Sequence, residues 1–244
     1  MNPAERVIVM LKTPRPGEVK TRLAAALGPD QAARLAQAFA EDALAAARQT
    51  GAPLAVSFTP AEAATEIATW LGPDIPLWPQ VEDDLGRRMT HALGLAFAAG
   101  ATHALLMGSD VPDAPPALIR EALDLLSTHA AVLGPCEDGG FWCIGVSAHV
   151  FTPDMLDRLP WSSETTLAAT VERLAALGVQ PALLPQWRDV DTLSDLLNLQ
   201  SRLEKTPNAA PATLARLREL PSGPLSGQPC GPSLATTREP ARDD

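Results

Sequence analysis

Short apolar runs alternate with longer stretches whose apolar residues recur every three or four positions, and this alternation repeats along most of the chain. Residues 7–11 (Val-Ile-Val-Met-Leu) are apolar without a break, the pattern of a strand buried on both faces. A helical stripe follows, with Leu35, Phe39, Ala43 and Ala46 on one face, Asp30 as its expected N-cap and its end near Gln49. Residues 54–58 predict a second strand, 61–71 a second helix, 75–78 a short third strand, and 85–99 a helix stopped by Gly100. Residues 104–107 read as a fourth strand. Pro115 and Pro116 then open a helix striped by Leu118, Ile119, Ala122, Leu125 and Leu126. Proline is tolerated there because the first N–H groups of a helix have no partner in any case.

Strands over 131–133 and 141–146 come next, then a helix marked by Leu167, Val171 and Leu174, and a late strand over 182–184. Thr192 and Asp195 have the spacing of a capping box at the start of a helix through about Leu203. Strands separated by helices of this length predict an α/β domain with a mostly parallel sheet. From about residue 205 the pattern weakens, with a short helix over 211–220. Residues 221–244 hold eight Pro or Gly in 24 positions and few large apolar groups, so burial there cannot offset the entropy of ordering and disorder is expected. The expected organisation is one domain over 1–204 and an extension over 205–244.

Composition narrows the class. Hydrophobic residues make up 46% of the 244, enough for a real core, and the formal net charge is −10. An acidic chain with no basic stripe interleaved with aromatics is not expected to bind nucleic acid. No run approaches 18 apolar residues, so no membrane span is expected, and the N-terminal pattern is not that of a signal peptide. The expected location is the cytoplasm. Cys136, Cys143 and Cys230 form no C-x-x-C, and His91, His103, His129 and His149 are scattered, so neither type is expected to ligate a metal.

In open α/β sheets ligands gather beyond the carboxyl ends of the strands, and three polar segments fall there. The first follows strand one: residues 12–22 carry Lys12, Arg15, Lys20 and Arg22 against a single acid, Glu18. A strand, a Pro/Gly turn and a cationic helix start can hold phosphate oxygens. Neither the P-loop nor the G-x-G-x-x-G fingerprint is present, so side-chain cations must supply most of the attraction. The second is Gly108-Ser109-Asp110-Val111-Pro112, whose carboxylate can hold a hard divalent cation through oxygen or make an Asx turn. The third is Asp189-Val190-Asp191-Thr192. Of its two acids only one is expected to meet a metal, and Thr192 takes the capping role, which leaves Asp191 for another task. Between them, Asp138-Gly139-Gly140 reads either as a hairpin turn or as a backbone that approaches a ligand. Ser162 and Ser163 read as helix caps, and Arg87 and Arg88 can reach a phosphate or stay solvated.

Six segments taken in order are similar to a bacterial family: Lys-Thr-Pro-Arg-Pro-Gly-Glu-Val-Lys-Thr-Arg-Leu at 12–23, Asp-Leu-Gly-Arg-Arg-Met at 84–89, Gly-Ser-Asp-Val-Pro at 108–112, Gly-Pro-Cys-Glu-Asp-Gly-Gly-Phe at 134–141, Trp-Ser-Ser at 161–163 and Asp-Val-Asp-Thr at 189–192. They resemble the DUF2064 family of GT-A-type transferases (radical-SAM/selenodomain-associated transferase 1), over roughly residues 5–203. The resemblance implies a GT-A (nucleotide-diphospho-sugar transferase) fold, a mostly parallel Rossmann-like sheet flanked by helices. It extends to phospholactate guanylyltransferase-like nucleotidyltransferases, whose first-loop segment is similar to Lys20-Thr21-Arg22-Leu23.

The implied activity is metal-dependent transfer from an activated nucleotide. The first expectation is a glycosyltransferase moving a sugar from an NDP-sugar to a small-molecule acceptor. The alternatives are a nucleotidyltransferase acting on an NTP and a small phosphorylated acceptor, and a nucleotide-binding protein without catalysis. The donor would lie against Lys12, Gly17, Lys20, Thr21, Arg22, Arg88, Ser109, Gly139 and Gly140. Asp110 and Asp191 would hold Mg²⁺ or Mn²⁺. Asp110, Asp138 and Lys20 are the implied catalytic residues, Asp138 on the sugar or the acceptor. Three positions depart from the family pattern: Phe141 stands where Tyr is usual in a chain without any Tyr, Cys143 interrupts the apolar run, and Arg87 replaces an acid.

Overall fold

A computed structural model describes residues 4–220. The tail beyond 220, with the disorder expected of it and Cys230, lies outside the described residues. The elements are β1 (Glu5–Lys12), α1 (Thr21–Leu27), α2 (Pro29–Gln49), β2 (Leu54–Thr59), α3 (Ala64–Leu71), β3 (Leu77–Pro79), α4 (Leu85–Ala98), β4 (His103–Gly108), α5 (Pro116–Leu125), β5 (Ala131–Pro135), β6 (Phe141–Ser147), α6 (Thr166–Ala176), β7 (Ala182–Leu183), α7 (Leu193–Lys205) and α8 (Pro211–Glu219).

The strands form one seven-stranded sheet in the order β3-β2-β1-β4-β6-β5-β7. Every strand but β6 runs the same way, and β6 is antiparallel to both β4 and β5. The reversal has a simple cause. Residues 136–140 are the whole connection from β5 to β6, too short for the crossover that a parallel partner requires. The Asp138-Gly139 pair is thus a hairpin turn.

Alternate residues of β1 face opposite layers. Val7, Val9 and Leu11 pack with Ala40, Ala43 and Ala47 of α2, Ile67 of α3, and Ile119 and Leu123 of α5. Ile8 faces the other layer, with Met89 and Leu93 of α4 and Leu174 of α6. A third cluster joins Leu23 of α1, Leu35 and Phe39 of α2, Leu196, Leu199 and Leu203 of α7, and Leu214, Leu217 and Leu220 in and beyond α8. Residues 205–220, expected to begin an extension, thus contribute buried leucines to a core. Each such side chain is worth about 1.5–3 kcal/mol when fully buried. Asp42 of α2 holds α8 in place by accepting from the N–H groups of Ala212 and Thr213 at 3.0 and 2.7 Å.

Several expectations change in detail. Helix α1 supplies the cationic helix start expected after β1, but as a separate helix whose bounds were not given, because seven residues are too few to show a periodic stripe. Gly28 rather than Asp30 occupies the N-cap of α2, with Pro29 at the first helical position. Asp30 sits in the first turn, where its charge favours the helix dipole. The second helix starts as a 3₁₀ turn over Ala61–Ala63 before α3, and β3 lies a residue or two later than its apolar run suggested. The capping box at Thr192 forms as the spacing predicts.

Candidate functional site

Strands β1 and β4 are neighbours, so the loops that leave their carboxyl ends meet above the sheet. The β1 loop turns through Gly17 and reaches Lys20, which sits in the left-handed region (φ 45°, ψ 49°) as the N-cap of α1. That conformation costs a non-glycine residue on the order of 1–2 kcal/mol. It drives the Lys20 side chain inward. Only 6% of that side chain is exposed, and its Nζ lies 2.7 Å from Asp110 Oδ1 and 2.7 Å from Asp191 Oδ1. The Phe39 ring lies behind it, 5.9 Å from Nζ to the centroid. Burial opposes the charge on Lys20, yet the two carboxylates outweigh it and hold the pKa above the ordinary lysine value.

The segment carrying Asp191 is fixed from two sides. The N–H of Val190 donates to the Asp110 carbonyl at 3.0 Å. Asp195 Oδ2 accepts from Thr192 N at 2.7 Å and from Asp191 N at 3.2 Å. The cap is thereby satisfied without the Asp191 side chain, which is left to face Lys20.

These groups open into a cleft of about 650 Å³ that spans the end of the sheet. Lys12, Lys20, Thr21, Arg22, Arg88, Ser109, Asp110, Asp138, Gly140 and Asp191 all line it. Gly17 and Gly139 do not. Gly139, at φ 84°, packs against the backbone of Glu164, with which any Cβ would overlap, and its carbonyl accepts from Leu167 N at 2.8 Å. It therefore fastens the hairpin to the start of α6 and does not present itself to a ligand. Asp138 Oδ1 accepts from Gly140 N at 2.9 Å, which fixes the turn. Arg15 leaves the cleft to pair with Glu66 at 2.8 Å, and Arg87 pairs with Asp157 at 2.6 Å. Arg88 is anchored through Nε to the Asp83 carbonyl at 2.8 Å. Among the described residues Lys12, Arg22 and Arg88 line the cleft without a carboxylate partner.

Asp189 and Asp191, of which only one was expected to meet a metal, both line the cleft. Residues two apart on extended backbone share a face, so alternation favours what is seen. Ser162 and Ser163 do not cap α6, whose N-cap is Thr165 with no side-chain bond. Ser162 instead takes a left-handed turn (φ 57°) and lines the cleft beside Trp161. Trp161 meets Phe141 nearly edge-on, with centroids 6.2 Å apart, and together they form an aromatic wall.

Cys136 Sγ and a carboxylate oxygen each of Asp138 and Asp189 lie within 4.8 Å of one another. Burial, then the charges of Asp138 and Asp191, push Asp189 up to about 6. Burial and nearby carboxylates raise the Cys136 thiol, which stays neutral. Cys136 belongs to the 134–141 segment but was not itself expected to line the cleft.

The donor set fits a hard divalent cation. Asp110 and Asp191 bring carboxylate oxygens from two separate loops to one positive charge, and each keeps a second oxygen free. Such cations take oxygen ligands and bind through one or two carboxylates plus substrate phosphates.

The fold is shared with solved structures of nucleotide-diphospho-sugar transferase and nucleotidyltransferase type. A structure from Desulfovibrio desulfuricans G20, provisionally assigned as a nucleotide-diphospho-sugar transferase, superposes with a TM-score of 0.84 at 36% identity, over 89% of this chain and 95% of that one. A nucleotidyl transferase from Methanothermobacter shares the fold at TM-score 0.56 and 18% identity, over 84% of this chain and 100% of that one. So does the inositol-1-phosphate CTP transferase of T. maritima, at 0.54 and 12%, over 90% and 98%. No curated protein matches the sequence. The model of DUF2064, described as an uncharacterized protein conserved in bacteria, matches residues 39–163, and the chain belongs to this family.

Proposed function

We propose that the chain is a metal-dependent transferase that moves a sugar from a nucleoside diphosphate sugar to a small-molecule acceptor. The observation that carries this reading is the meeting of Lys20, Asp110 and Asp191 at 2.7 Å contacts in a cleft also lined by Lys12 and Arg22. The D. desulfuricans relative, assigned to nucleotide-diphospho-sugar transfer, supports it.

In this reading Asp110 and Asp191 hold Mg²⁺ or Mn²⁺, which when bound neutralises charge on the donor diphosphate. Lys20 and Arg22 supply positive charge beside the leaving phosphates. Asp138, held by its own turn, lines the same cleft near Asp189, where it contacts the transferred sugar or takes the acceptor proton. The aromatic wall of Phe141 and Trp161 offers an apolar face for a sugar ring or acceptor. Among the described residues no helix is long and apolar enough to cross a membrane.

The test is thermal unfolding with Mn²⁺ across UDP-sugars, GDP-sugars, NDPs and NTPs, comparing the natural chain with Asp110→Ala. Ligand at about 100 times its Kd stabilises by about 2.7 kcal/mol, a visible rise in midpoint. Metal-dependent stabilisation by one NDP-sugar and its NDP, lost in Asp110→Ala, is expected. Preference for an NTP, with pyrophosphate released on turnover, assigns nucleotidyl transfer instead. No response to any nucleotide refutes both.

A further inference from the structure

Asp113 follows Asp110 by three residues on the loop from β4 to α5, and its side chain is only 5% exposed. It does not line the cleft, and neither do its two partners. Asp113 Oδ2 accepts from Arg202 Nε at 2.7 Å, and Oδ1 accepts from Trp187 Nε1 at 3.2 Å. Arg202 lies on α7, the helix whose capping box follows Asp191. Trp187 precedes Asp191 by four residues, and its own N–H donates to the Pro135 carbonyl at 2.9 Å. The two segments that carry Asp110 and Asp191 are therefore tied together twice, once at Asp110 O and Val190 N, and again through Asp113.

A buried carboxylate is expensive to desolvate, and packing alone would be served as well by an apolar side chain. The second tie gains its worth from what it spans. Cation–oxygen distances tolerate only a few tenths of an ångström, so the spacing of two carboxylates on different loops decides how well they chelate. The pair is also fragile, because Arg202 Nη2 is buried with no partner, and losing Asp113 would leave Nε without its acceptor as well.

We propose that Asp113 is a positioning residue for the cation: with Arg202 and Trp187 it sets the span between Asp110 and Asp191, and through that span the affinity for a divalent metal. This rests on the metal role given above to Asp110 and Asp191. Residues that orient metal ligands from behind typically change affinity by about 10–100-fold when altered.

The experiment measures binding of Mn²⁺ alone to the full chain by electron paramagnetic resonance, with urea unfolding alongside. Asp113→Asn keeps the shape and the acceptor for Trp187 but removes the charge facing Arg202. Its Mn²⁺ affinity, referred to folded molecules, should fall about tenfold, and Asp113→Asn/Arg202→Gln should recover part of the loss by restoring a neutral pair. If Asp113→Asn folds too poorly, Trp187→Phe removes one donor, keeps an aromatic ring, and should weaken Mn²⁺ several-fold. A variant that loses stability yet binds Mn²⁺ like the natural chain overturns the positioning role and leaves the metal reading standing. A natural chain that binds no Mn²⁺, and is unchanged by Asp110→Ala, overturns both.

Discussion

Lys20→Met is the most informative single substitution, because Lys20 stands where a cation would. The methionine keeps an unbranched stem against Phe39 and removes only the ammonium. Two carboxylate oxygens that each lay 2.7 Å from Nζ are then left facing each other, at most about 5.4 Å apart. The Asp110 and Asp191 side chains are 49% and 42% exposed, so solvent screening must be allowed for. With an effective dielectric of about 20–40, the repulsion at that distance is about 1.5–3 kcal/mol. The variant should lose about that much stability when metal-free.

A divalent cation cancels the repulsion, and in the natural chain it must first displace Lys20. Mn²⁺ alone should therefore bind Lys20→Met about 10- to 100-fold more tightly than the natural chain, at about 1.4 kcal/mol per decade. Donor binding and turnover should move the other way, since a phosphate cation is gone. Mn²⁺ titration followed by unfolding midpoint, and separately by electron paramagnetic resonance, gives the sign. Equal or weaker Mn²⁺ binding in Lys20→Met would refute the idea that Lys20 and the metal share the same two carboxylates.

Arg22→Ala should weaken a nucleoside diphosphate by about tenfold, the worth of one charge-assisted hydrogen bond, and leave Mn²⁺ binding as it was; calorimetry with each ligand separates the two effects. Gly139→Ala puts a Cβ into the backbone of Glu164 at a positive φ and should cost more than about 2 kcal/mol in urea unfolding; a loss under about 0.5 kcal/mol would contradict the packing role. Asp42→Ala removes the acceptor for two N–H groups at the start of α8 and should cost about 1–2 kcal/mol, with α8 amides the first to gain hydrogen exchange. His103 has its pKa lowered by burial, opposed by Glu5 and aided by His149. The unfolded chain therefore takes up a proton first, so this contribution to stability is present above about pH 6.5 and is lost as pH falls through the window below it. His103→Gln should flatten the fall in unfolding midpoint between about pH 7 and 5.

Much of this protein was legible in the chain because its information is local. Unbroken apolar runs such as 7–11 identify strands with two covered faces, and stripes such as Leu35, Phe39, Ala43 and Ala46 identify the helices between them. The capping box at Thr192 is likewise a matter of three residues' spacing. The rule that ligands gather at strand ends picked out the three segments that carry Lys20, Asp110 and Asp191, and the family resemblance gave those residues their roles before any contact was known. What it left undecided was which of the flagged groups meet. Lys20 and Asp191 are 171 residues apart, and their contact depends on β1 lying beside β4 and on one left-handed residue at the head of α1. The same holds for other groups. Asp113 is tied to Arg202 across 89 residues, Cys136 and Asp189 close one side of the cleft, and Gly139 serves the backbone of Glu164. Local periodicity fixes elements because backbone geometry and burial act over a few residues. Pairings of charge act through space, so only the order of the strands and the path of the loops could decide them.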